Sequence, residues 1–201
     1  MLLGLPCLLY EEAKSPYGRS SAVSKSTRDD RYSSADQRKT VMNNSNNLTR
    51  IASFSVNHDF IKEGIYVSRI DGDITTYDMR TRIPNNKDDD YMSNLTMHSL
   101  EHLFATYVRN SEIGTRVIYF GPMGCQTGFY LLVRDADNEE TLRVVKDVLG
   151  KIIAHDGSMP GAAREECGNY KNLDLGSAKT EAARYLAALE GSENNFTYPE
   201  A

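Results

Sequence analysis

From Ile51 onward the chain alternates between stretches of strand period and stretches of helix period; before it, neither period is present. The segment "IASFSV" alternates apolar and polar positions and predicts a strand. The run "GIYVSRIDGDITTYDMRTRI" predicts two strands around Asp71-Gly72, a dipeptide that supplies the positive φ angles of a tight hairpin turn. After the loop "PNNKDDDYMSN" comes a helix from about Leu95 to Asn110, with Ser93 or Asn94 as its N-cap and Gly114 beyond its end. "TRVIYF" and "GFYLLVR" predict two further strands, separated by "GPMGCQT". A helix from about Asn138 to His155 follows, with Leu142, Val145, Leu149, Ile152 and Ile153 in one stripe, and Gly157 stops it. A long irregular connection, "GSMPGAAREECGNYKNLDLG", leads to a last helix from about Ser177 to Glu190. Hairpins interleaved with helices define an α+β fold, helices packed on an antiparallel sheet.

Residues 11–49 are rich in Ser, Arg, Asp and Asn and cannot bury enough apolar surface to offset the entropy of ordering them. Residues 1–49 are therefore expected to be a disordered N-terminal extension, and 50–201 the folded domain, with Met42 an alternative initiator. The opening "MLLGLPCLLY" lacks a basic start and runs straight into "EEAK", unlike a signal peptide.

Composition narrows the function classes. A net charge of −5 with mixed signs argues against nucleic acid as the main partner. No run approaches the roughly 18 apolar residues of a membrane helix. Three cysteines, Cys7, Cys125 and Cys167, make no disulfide framework and point to reduced thiols in the cytoplasm.

Two of the four histidines stand in "HSLEH", with Glu101 between them. On a helix, Leu100, Leu103, Phe104, Tyr107 and Val108 gather on one face, and His98, Glu101 and His102 on the opposite one. Imidazoles at i and i+4 can reach one metal ion, and the same pattern also describes a solvated polar face. A metal needs a third ligand, for which Cys125, Cys167, His58 and His155 are available. Cys125 lies among glycines in "GPMGCQTG", where the backbone can turn sharply and a ligand can approach. Cys167 lies in an irregular loop that can aim a ligand freely. His155, at a helix C-terminus, reads as a surface histidine favoured by the helix dipole.

Taken together, "SFSVNHD", "YDMR" followed by "PN", "HSLEH", "GPMGCQTGFY" and "EECGNYKNLDL" resemble, in that order, the S-ribosylhomocysteine lyases of the LuxS family. The likeness runs from about Ser53 to about Leu189. It implies a four-stranded antiparallel sheet packed against helices. The implied reaction cleaves S-ribosylhomocysteine to homocysteine and dihydroxypentanedione, the autoinducer-2 precursor of quorum sensing and a by-product of the activated methyl cycle. The resemblance assigns His98, His102 and Cys167 to one divalent metal per subunit, iron(II) replaceable by zinc or cobalt. It makes Glu101 and Cys125 the acid/base pair, and Ser53, His58 and Arg80 the substrate-side residues. It also implies a cytoplasmic homodimer with active sites at the subunit interface, and neither nucleic-acid nor membrane partners.

The chain departs from the family pattern in its N-terminal extension and at Tyr119 and Gly121, where many members carry an acidic residue and serine. Two other readings remain. One is a His-x-x-Glu-His metallopeptidase with Glu165 or Glu166 as third ligand. The other is a non-catalytic metal-binding homologue.

Overall fold

The computed structural model describes Thr49 and residues 51–199. The expected disordered extension, Thr49 aside, and with it Cys7 and Met42, lies outside those residues.

Four strands, β1 (Gly64–Asp71), β2 (Ile74–Arg80), β3 (Val117–Pro122) and β4 (Gly128–Arg134), form an antiparallel sheet in the order β1-β2-β4-β3. Three helices, α1 (Asn94–Arg109), α2 (Asn138–Ala154) and α3 (Leu175–Glu190), pack against one another and cover one face of the sheet. The α+β class and the four-stranded sheet stand as expected.

Period-two alternation sets the sheet's orientation. On β4, Phe129, Leu131 and Val133 point to the helices and are fully buried, while Tyr130 and Leu132 turn to the outer face. Tyr77 and Met79 of β2 share the inner face, and Asp78 and Arg80 the outer one. The inner residues meet Leu100, Leu103, Phe104 and Val108 of α1, and Phe104, Phe120 and Phe129 stack in a row.

Two local expectations shift. "IASFSV" is not a strand: Ala52–Phe54 form a 3₁₀ turn, with Phe54 N–H donating to Ile51 O at 3.0 Å and the Ser55 hydroxyl donating to the same oxygen at 3.3 Å. Short serine-rich segments offer the backbone such local bonds in competition with a ladder. The hairpin register pairs Asp71 with Ile74, so the turn residues are Gly72 and Asp73, one position later than expected, and Gly72 carries the positive φ of 62°. Glycine first in a two-residue loop is the type II′ arrangement.

Charges sealed inside the fold tie the loop after β2 to α3. Arg82 forms a two-pronged ion pair with Glu181, one arm 2.6 Å from NH2 to Oε2, and both side chains are almost fully buried. Arg82 Nε also reaches Asp90 at 3.2 Å, which steadies the loop leading into α1. Breaking one side of such a pair strands a buried charge. Glu181→Gln should therefore lower unfolding free energy by about 3–5 kcal/mol, and the double change Arg82→Met with Glu181→Leu should recover most of it, both read by urea unfolding.

Candidate metal centre and active site

Helix α1 begins where Ser93 Oγ accepts from Thr96 N–H at 3.1 Å, a side-chain N-cap. Its apolar face is the core, and His98, Glu101 and His102 lie together on the other side, each half-buried. That side is no solvated stripe, because the connection between α2 and α3 folds over it. His98 Nδ1 is 2.8 Å from Asn172 O, and His102 Nδ1 is 2.8 Å from Pro160 O. A carbonyl only accepts, so both Nδ1 atoms carry protons and both Nε2 lone pairs are left free. Cys167 Sγ stands 3.4 Å from His98 Nε2, and the ligand atoms of His98, His102 and Cys167 all lie within 4.8 Å of one another. Two imidazole nitrogens and a thiol at that spacing can close on one tetrahedral cation, whose ligand atoms sit about 3.5 Å apart. The Asn169 N–H donates to the sulfur at 3.4 Å. Glu101 Oε2 is 4.0 Å from His102 Nε2, beside this cluster rather than within it.

The covering loop needs Gly161. Its φ is +66°, and a Cβ there would stand 2.8 Å from His102 Nδ1, so only glycine lets the backbone close over the imidazole undisturbed.

Cys125 is exposed in the loop between β3 and β4. Thr127 Oγ1 lies 3.0 Å from its sulfur and accepts from Arg80 NH1 at 2.6 Å, and that nitrogen is 3.8 Å from the sulfur. Arg80 is 3% exposed, and its guanidinium is gripped by Asp78 through Nη2 at 2.9 Å and Nε at 2.8 Å. Burial pushes the Asp78 carboxyl up from its ordinary value, and Arg80 and the Tyr198 hydroxyl, 2.6 Å away, pull it partly back. Burial opposes the charge on Arg80, but Asp78 outweighs it and holds the guanidinium charged. The loops 81–93 and 122–127 are stitched together by Thr81 and Arg82 N–H to Thr127 O and by Met92 N–H to Gln126 O, which sets Cys125 near the start of α1.

These sequence blocks, on this fold, match the family model S-ribosylhomocysteinase (LuxS) over residues 51–196. The chain belongs to the LuxS family. It is similar to the S-ribosylhomocysteine lyase of Finegoldia magna, 40% identical over 159 residues that cover 76% of this chain and 100% of that protein. It is likewise similar to the enzyme of the same name from Borreliella burgdorferi, 39% identical over 159 residues covering 76% of this chain and 100% of the relative. The one from Clostridium acetobutylicum is 39% identical over 160 residues, covering 76% and 100%.

Within this LuxS chain the remaining expected site residues are not gathered at the triad. Ser53 lines a cavity of about 400 Å³ on the outer sheet face with Tyr119, Tyr130 and Leu132. His58 lines another of about 550 Å³ with Asn57 and Asn85, its Nδ1 3.0 Å from Val56 O. Neither cavity includes His98, His102 or Cys167. His155 differs from its surface reading: it is half-buried, bound to Tyr107 and Ser158.

Sequence reasoning missed Ser99, which is wholly buried, donates to Leu95 O at 2.6 Å and accepts from Asp174 N–H at 2.8 Å, fastening the far end of the loop to α1. It also missed Thr127 and Tyr198. A buried serine on an apolar helix face was the one available signal, since such a group needs a partner.

The loop geometry has a direct stability test. Gly161→Ala, forced into the left-handed region against His102, should cost roughly 1–2 kcal/mol. Gly168→Ala, whose Cβ would meet nothing within 4 Å, should be close to neutral in the same thermal-unfolding comparison.

Proposed function

We propose that this chain is a metal-dependent carbon–sulfur lyase that converts S-ribosylhomocysteine to homocysteine and dihydroxypentanedione. The observation that carries the reading is the pair of free Nε2 lone pairs, on His98 and His102, facing the Cys167 thiol. The name carried by the relatives supports the substrate. The donor set fits a borderline divalent cation, two nitrogens and one sulfur, with iron(II) the native ion and zinc or cobalt substituting. Three protein ligands leave a position open, as in catalytic rather than structural sites, and among the described residues no fourth His, Cys, Asp or Glu joins the cluster. Family membership removes the peptidase reading.

A thioether leaves only when its C–S bond lies β to an acidic C–H, so the sugar carbonyl must first migrate by proton transfers between neighbouring carbons. When bound, the cation supplies Lewis acidity toward the sugar's oxygens. Glu101, next to His102 but outside the ligand set, offers a carboxylate to take and return those protons. Cys125 offers a second group, its sulfur set between Thr127 Oγ1 and the Arg80 guanidinium. Two groups serve a planar intermediate that must lose and gain protons at different carbons.

Ser53, His58 and Arg80 are assigned to the substrate, with Ser53 and His58 completing a site shared across a homodimer. The exposed outer-face residues Ile51, Ile118 and Tyr119, at 55%, 43% and 50% exposure, support an apolar dimer contact. The lyase domain is taken as 50–201, in keeping with the family match. No helix among the described residues is long and apolar enough to cross a membrane, and the sparse cysteines support a cytoplasmic setting. The product is read as the precursor of autoinducer-2.

The decisive assay follows free homocysteine with a thiol reagent after metal-loaded protein meets S-ribosylhomocysteine. Wild type should release thiol; Cys125→Ala and Glu101→Gln should lose about 10²–10⁴-fold in kcat while keeping their metal. Cys167→Ala should lose the metal itself. A metal-replete wild type that releases no thiol sinks the assignment.

Tyr119 and Gly121 test the pocket. A Cβ at Gly121 would stand 1.9 Å from the Tyr119 hydroxyl, so Tyr119 lies across strand β3 because position 121 is bare. Gly121→Ala should swing the half-exposed ring away and raise KM about threefold or more, with kcat largely kept, the pattern of lost uniform binding.

A further inference from the structure

We propose that Tyr107 and His155 are positioning residues for the metal centre, a latch at the root of the ligand-bearing loop that sets how long the cation stays bound. The proposal rests on His98, His102 and Cys167 being the ligands.

The loop 155–174 supplies Cys167 and also the two carbonyls, Pro160 O and Asn172 O, that hold the imidazoles in their ligand-competent tautomer. Its far end is fastened by Asp174 N–H to Ser99 Oγ. Its near end is fastened by His155. Ser158 O can only accept, so His155 Nε2 carries the proton and donates to it at 3.1 Å. Nδ1 is then left to accept from the Tyr107 hydroxyl of α1 at 2.8 Å. The two rings meet edge to face with centroids 5.9 Å apart. Lys179 of α3 donates to His155 O at 2.9 Å, so the loop root is tied to two helices at once. From His155 to Pro160 is five residues, and from Tyr107 to His102 is five along α1. The latch and the His102–Pro160 bond thus close one small ring of chain between α1 and the loop. Releasing the latch frees the root of the segment that carries Pro160 O and Cys167 from α1, leaving the Lys179 bond to His155 O as its tie to α3. The ligand atoms then become free to leave one at a time.

Tyr107 touches no substrate atom in this assignment, and neither residue is a ligand, so the effect must appear in metal retention. The experiment uses the full chain loaded with zinc. A pyridylazo chelator in excess records the release rate, and cobalt(II) d–d bands record the geometry of the site. Tyr107→Phe, which removes only the hydroxyl, should speed zinc release several-fold, and His155→Ala by about 10–100-fold, the range of outer-shell changes at metal sites. His155→Asn, which keeps an acceptor toward Tyr107, should fall between His155→Ala and wild type. The metal-free melting temperature controls for folding: a residue that only stabilises the fold would lower it without altering release from the folded protein. Release within twofold of wild type for His155→Ala would overturn the latch. Cys167→Ser separates the two claims. If it holds zinc as wild type does, the ligand assignment fails; if it loses zinc while His155→Ala does not, only the latch fails.

Discussion

Two hydrogen bonds, His98 Nδ1–H to Asn172 O and His102 Nδ1–H to Pro160 O, set the geometry on which the candidate metal centre depends. Without them each imidazole could carry its proton on either nitrogen and rotate on its helix. With them, both rings present a lone pair toward Cys167. A loop carbonyl is a poor partner unless the loop itself is held, because a 20-residue irregular segment has large conformational freedom to lose. The loop's anchors, Ser99 at one end and Tyr107 with Lys179 at the other, therefore bear on the geometry of the His98, His102 and Cys167 cluster although they are remote from it.

The second half of the site is built on the opposite logic. Around Cys125 the organising groups are charges withdrawn from water: Asp78 at 1% exposure and Arg80 at 3%. Such a pair stabilises a fold weakly, since desolvation offsets most of its attraction, but it leaves a guanidinium with few orientations to choose from. The C-terminal segment contributes to this. Val67 N–H donates to Phe196 O at 2.8 Å, Tyr198 stacks on Tyr66 with centroids 4.9 Å apart, and the Tyr198 hydroxyl donates to Asp78. Burial, and Asp78 after it, push that hydroxyl's pKa well up, so it remains a donor across the range where enzymes work.

The elements were legible where periodicity was long. Both hairpins, α1 and α2 stand within about three residues of their expected bounds, because two alternating runs closed by a turn, or sixteen to seventeen residues of helical stripe, outweigh local noise. "IASFSV" is as long as β3, but its serine bonded locally instead. Helix α3 starts two residues early because Asp174, not a later residue, caps it by accepting from Ser177 N–H at 2.6 Å. The two histidines of the cluster were legible as residue types at a spacing, yet spacing alone could not distinguish a metal face from a solvated one. What separates them is a pair of backbone carbonyls more than fifty residues away, and a carbonyl has no sequence signature. The burial of Asp78 was illegible for a similar reason: alternation puts it on the outer face, where the returning C-terminus brings Tyr198 onto it.

That division explains how Tyr119 and Gly121 can differ from the family pattern while the metal and acid/base motifs do not. The two residues interlock, ring over bare backbone, on the outer face of β3. Neither takes part in the hydrogen bonds of the loop 155–174 or in the Arg80–Thr127–Cys125 contacts. Their effects fall on the cavity they border with Ser53. A change confined there alters the outer face alone. A serine at 121 beneath the tyrosine ring would displace it, and an acidic residue at 119 would leave the glycine with nothing to accommodate. The interlock is thus a local steric rule: the ring at 119 requires the bare backbone at 121.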